Sequence, residues 1–114
     1  MSLLEDLNTV LAPLNIPLET GIFSEEAPDS YIVAVPLTDE YGFHADNTPG
    51  VDVQEVRLSL FSKGSYTTMK NNIIRALLSA GLTITARSYI GFEEDTGYHH
   101  YNVDVANFYE MEEN

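Results

Sequence analysis

The chain has 114 residues with 44% hydrophobic side chains, the size of one domain with an ordinary core and no room for a second. It contains no cysteine, which excludes disulfides, thiolate metal sites and cysteine nucleophiles. Its net charge of -13 sets it against nucleic acid and anionic membrane surfaces as direct ligands, because both would repel it.

Ser2-Leu3-Leu4-Glu5 has the form of a capping box, and Leu3, Leu7, Val10, Leu11 and Leu14 follow at helical spacing until Pro13 and Pro17 break the pattern. The spacing predicts a short amphipathic helix over 3–12, with extended chain over 18–23. Glu5 and Asp6 stand where a signal peptide would carry basic residues, and the longest apolar run, 31–37, is too short to span a bilayer, so a soluble chain is expected. Tyr31-Ile-Val-Ala-Val is apolar on both faces, as in a central strand, with Pro36 limiting pairing at its end. Thr38-Asp39-Glu40 predicts a turn. Tyr41, Phe43 and Ala45 then alternate with Glu40, Gly42, His44 and Asp46 as a half-buried strand, and Asn47-Thr48-Pro49-Gly50 supplies a second turn.

The next strand, about 51–62, carries apolar residues at Val51 and Val53 and then at Val56, Leu58 and Leu60. That switch of parity predicts a β-bulge within it. Ser65 is placed to cap a helix over 66–80, with Tyr66, Met69, Ile73, Leu77 and Ala80 on one stripe, widened by Ile74 and Leu78, and Gly81 as its stop. A hairpin follows over 82–109. Leu82, Ile84, Ala86, Ile90 and Phe92 alternate in its first strand and Tyr101, Val103 and Val105 in its second. A five-residue loop, Glu93-Glu-Asp-Thr-Gly97, joins them, and the tail 110–114 reads as frayed. The order predicts a single α+β domain over 1–114: an antiparallel sheet with two main helices packed on one face.

The charges are partitioned along the chain. Residues 1–56 hold eleven acids and no Lys or Arg, 57–92 hold all five basic residues and no acid, and 93–114 hold seven acids. Pairing within one fold explains this, and so does contact between copies that sets an acidic face against a basic one. On the second reading the interface candidates are Lys63, Lys70 and Arg75 on the basic side. The acidic side is either Glu93, Glu94 and Asp95 at the hairpin tip or Asp39, Glu40 and Asp46 upstream.

Chemistry is harder to find. His99 and His100 are adjacent on a strand, so they point to opposite faces and cannot easily share one ion. Glu93, Glu94 and Asp95 lack the alternating spacing of a calcium loop, the serines lie in no nucleophile elbow, and the glycines form no phosphate cradle. The expectation is no catalysis, no metal and no cofactor.

Two stretches, Gln54-Glu-Val-Arg-Leu-Ser-Leu-Phe-Ser-Lys-Gly-Ser-Tyr66 and the residues 84–105, resemble tail-completion (tail-terminator-like, head–tail joining) proteins of siphophages and prophages. An upstream piece, Ala27-Pro-Asp-Ser-Tyr-Ile-Val, resembles the same family. The resemblance implies a ring of about six copies at the head-proximal end of the tail tube, with the tube protein and head connector as partners. It also implies assembly in the host cytoplasm and a final place in the virion tail, with no family active site to carry over. Two rivals stand beside it: an acidic inhibitor that mimics DNA to bind a basic protein, and a small ligand-binding module using His44, His99 and nearby acids.

Overall fold

The computed structural model describes residues 2–20, 28–41 and 51–110, without the side chains of 38–41, 51 and 110. The expected strand over 42–46 with Asp46, the turn at 47–50 and the tail beyond residue 110 lie outside the described residues. In chain order come α1 (Leu3–Leu11) with a 3-10 turn over Ala12–Leu14, β1 (Leu18–Thr20), β2 (Ser30–Tyr41), β3 (Val51–Ser62), α2 (Tyr66–Ser79), β4 (Thr83–Glu93) and β5 (Tyr98–Glu110). The sheet order is β1-β2-β3-β5-β4. Every pair is antiparallel except β1 with β2, so the sheet is mixed and not wholly antiparallel as expected. Among the described residues no helix is long and apolar enough to cross a membrane.

Period-two alternation decides which side of the sheet is covered. Ile32 and Ala34 of β2, Val56, Leu58 and Leu60 of β3, and Val103 and Val105 of β5 are buried on one face. Against them lie Leu3, Leu7 and Leu11 of α1 and Met69, Ile73 and Leu77 of α2, all in the same core. Both helices therefore cover one face, as the periodicity predicts. Among the described residues no helix lies on the opposite face.

The α1 cap forms as expected on its Ser side, with Ser2 Oγ accepting from Glu5 N at 3.2 Å. A further cap comes from the sheet: Leu3 N donates to Gln54 Oε1 at 2.8 Å, which satisfies one of the helix's free N–H groups. Ser65 does not cap α2. Its hydroxyl sits 3.0 Å from the Thr68 hydroxyl and makes no bond to the helix backbone. At the other end Gly81, at φ +81, lets Leu82 N return to Leu77 O at 3.1 Å, and Leu82 is buried there.

Three strand expectations need correction. The turn at Thr38-Asp39-Glu40 is absent; β2 runs on through Pro36 to Tyr41. Ile32 N donates outward to Pro17 O, so by alternation the Pro36 nitrogen also faces away from β3 and costs no ladder bond. The bulge expected in β3 lies in its partner, where the register shifts between Pro36 and Thr38, while β3 keeps unbroken register with β5. Val53 therefore stays on the open face, and the covered-face position beside it belongs to Gln54, which caps α1. In β4 the simple alternation fails, because the register shifts between Ile84 and Ala86 and again between Tyr89 and Gly91. The hairpin loop is 94–97, with Glu93 still paired to Tyr98 and Gly97 at φ +81.

Candidate functional site

The two histidines point to opposite faces, as strand geometry requires. His99 lies on the covered side, with Nδ1 2.9 Å from the Tyr89 hydroxyl and its ring packed near Tyr66 and Phe92. His100 lies on the open side, stacked on Phe61 at 4.3 Å and within 3.0 Å of Asn102 Oδ1. Among the described residues no three His, Asp or Glu side chains converge as metal ligands would. His44 lies outside the described residues. An open cavity of about 510 Å³ sits at the start of α2 between Asp29, Ser62, Lys63, Ser65 and Thr68. No histidine lines it, and its serines are engaged with their neighbours: Ser62 Oγ accepts from Gly64 N, and Ser65 faces Thr68.

Aromatic side chains gather at the hairpin end on both faces. On the open face Tyr31 stacks on Phe61 at 4.7 Å and meets Tyr98 edge-on, and the Lys63 ammonium lies 5.0 Å from the Tyr98 ring centre. Burial, with smaller effects from Tyr98 and Glu93, holds the Tyr31 phenol above its ordinary value. On the covered face Tyr66 lies beside Tyr89, His99 and Tyr101, and Lys70 sits over the Tyr101 ring at 5.3 Å.

Part of the charge partition is resolved within one copy. Arg57 grips the buried Asp104 through two bonds, Nε to Oδ1 at 2.9 Å and a second guanidinium nitrogen to Oδ2 at 3.0 Å. The hydrogen bond to Asp104, then its charge, pushes the guanidinium above its ordinary value. Lys63 reaches Asp29 at 4.0 Å. Lys70, Arg75 and Arg87 have no ion pair among the described residues. Of the acidic candidates, Glu93 ends β4 and Glu94 and Asp95 occupy the hairpin loop, all exposed. Asp39 and Glu40 belong to β2, and Asp46 is outside the described residues. The structure thus separates the basic candidates. Lys63, just past the Ser62–His99 pair, shares the sheet end with the acidic loop, whereas Arg75 lies farther along α2.

Exposed apolar side chains are the surface feature that sequence reasoning missed. Leu78 is 57% exposed, Phe92 51%, Tyr89 44% and Phe108 63%. The predicted core stripe of α2 includes Leu78, which the structure places in water. Its spacing from Asn71 and Arg75 places it with the polar face of α2, and that was the available signal. Phe92 sits at a sheet corner beyond the reach of α2, which periodicity cannot show.

The sheet edges, by contrast, are guarded. β4 carries two bulges, and the outer part of β2 carries Pro36, a bulge and two acids, all devices that discourage strand addition.

No protein-family model matches the chain, and no curated protein is significantly similar to it. Among solved structures, one that is similar is a chain of the virion of a native gene transfer agent (GTA) particle. Its TM-score is 0.48 at 12% identity, over 90% of this chain and 84% of that one. A likeness of that size says nothing of what this chain does.

Proposed function

We propose that this chain is a structural component of a long-tailed phage-like particle, placed at the head-proximal end of the tail, where a ring of copies completes the tube and joins it to the head. The observation that carries this reading is the resemblance of residues 54–66 and 84–105 to tail-completion proteins. The two stretches are distant in sequence, yet they form β3 and most of the β4–β5 hairpin, with β3 beside β5 in the sheet. Physical features support the same role. The body is elongated, 50 Å long and about half as wide, with exposed apolar side chains on separate surfaces and guarded sheet edges. A net charge of -13 suits a conduit that must pass DNA without binding it. Copies would meet through basic side chains among Lys63, Lys70 and Arg75 and acids of the hairpin tip or of Asp39, Glu40 and Asp46.

The test is to label the chain with gold-conjugated antibody on purified particles and to delete its gene. Label at the head–tail junction, with separate heads and tails after deletion, is the expected result. Unlabelled particles, or joined infectious particles made without the gene, would refute the role.

A further inference from the structure

We infer that the hairpin end of one copy docks on the C-terminal half of α2 in a second copy, with Phe92 and Leu78 as apolar anchors and Arg75 facing Glu94 and Asp95. The contact rests on the ring reading above for its place in a particle, and on the following surfaces for its chemistry.

Two patches are matched and separate. On α2, Asn71, Arg75 and Leu78 are exposed on one stripe, with the half-buried Ile74 beside them. Residues 57–92 hold no acid, and neither Lys70 nor Arg75 has an ion pair among the described residues, so this stripe is basic with an apolar centre. At the hairpin, Phe92 and Tyr89 are about half exposed on the covered side next to the loop acids Glu94 and Asp95, while Glu93 and Lys63 stand toward the open face of the same end. That patch is acidic with an aromatic centre. Phe92 is already held against the His99 ring at 4.8 Å, and Tyr89 is bonded to the same histidine, so little side-chain freedom remains to be lost on docking.

Their placement makes the contact head-to-tail. α2 starts near His99, at the hairpin end, and its 14 residues carry it about 20 Å along the sheet before the turn into β4. One patch is therefore at the tip and the other near the middle of the long axis, on different parts of the surface. A contact between two different patches repeats from copy to copy and closes into a ring when the rotation permits. The guarded edges of β2 and β4 leave this face-to-face route open.

The experiment uses the purified full chain and sedimentation, with two variants, Leu78→Asp and Phe92→Asp. Both positions are more than half exposed, so circular dichroism should show the parent fold, with the thermal midpoint lowered by a few degrees at most through the lost Phe92–His99 packing and the added acids. Each variant alone should associate at least 10-fold more weakly than the parent. Mixed, they should form a 1:1 dimer that grows no further, because the intact hairpin of the first meets the intact helix of the second. Since the chain has no cysteine, a Leu78→Cys chain mixed with a Phe92→Cys chain should also cross-link between copies under mild oxidation. A mixture no more associated than its components, variants that associate like the parent, or a parent that stays monomeric with no 78-to-92 cross-link would each overturn the inference. None of these readings needs a particle, so loss of the tail role and loss of this contact are told apart.

Discussion

Ile73 and Leu78 sit less than two turns apart on α2, one fully buried and the other more than half exposed, and truncating each to Ala should give very different results. Ile73 lies in the core where both helices meet β3 and β5. Ile73→Ala removes three carbons, a transfer loss of about 2.4 kcal/mol at about 0.8 kcal/mol each. The residue is held on several sides, so the site collapses poorly and the cavity adds to that loss. A few tenths of a kcal/mol return because Ala favours the helix. The net expectation is about 3 kcal/mol, inside the usual range of about 2–5 kcal/mol. Leu78→Ala removes a side chain that is mostly in water, so it should cost less than about 0.5 kcal/mol. Urea unfolding at concentrations where the chain is monomeric measures both. The midpoint of Ile73→Ala should fall by more than about 1 M at unchanged slope, and that of Leu78→Ala should barely move. Equal losses, or an Ile73→Ala cost below about 1 kcal/mol, would refute the assignment of the core face and of Leu78 as a surface anchor.

Gly81→Ala isolates a backbone effect, because a Cβ there meets nothing within 4 Å while φ is +81; the thermal midpoint should report a loss of about 1 kcal/mol, and an unchanged midpoint would count against the turn geometry. The Tyr109 phenol, whose hydroxyl donates to Asp6 Oδ2, is pushed up to about 12, first by burial and then by that bond. Its folded value exceeds its unfolded one, so its contribution is whole below pH 10.0 and is lost as pH rises toward 12. Ultraviolet titration should lose its last-ionising tyrosine in Tyr109→Phe, and a titration curve that keeps that step would refute the contact.

The helices and the hairpin were legible because amphipathic spacing reports a core on one side, and both helices and β5 obey it. The failures share a cause in pairing partners. The β3 parity switch marks no bulge: β3 stays in register with β5, so Val53 faces the open side and Gln54 the covered one, while the extra residue near Leu37 belongs to β2. Asp39 and Glu40 read as a turn because acids and threonine favour turns, yet partners in β3 hold them in the ladder. The parallel pairing of β1 was also invisible, since three residues carry no mark of direction.

The association surfaces show a similar division. Charge is countable along a chain, so the basic block was visible before any fold was known. The fold then divided that block. Arg57 spends its guanidinium on Asp104 in its own chain and Lys63 leans toward Asp29 and Tyr98, and among the described residues Lys70, Arg75 and Arg87 have no ion pair. Apolar anchors cannot be counted in this way, because Leu78 and Leu77 are the same residue type one position apart and only the spacing of Leu78 from Asn71 and Arg75 separates them. Exposed ion pairs contribute about 0.2–1 kcal/mol each, whereas a buried aromatic anchor contributes considerably more. If the contact is as inferred, salt should weaken it moderately and Phe92→Asp much more strongly; the charges would then set the register and the apolar anchors would supply the affinity.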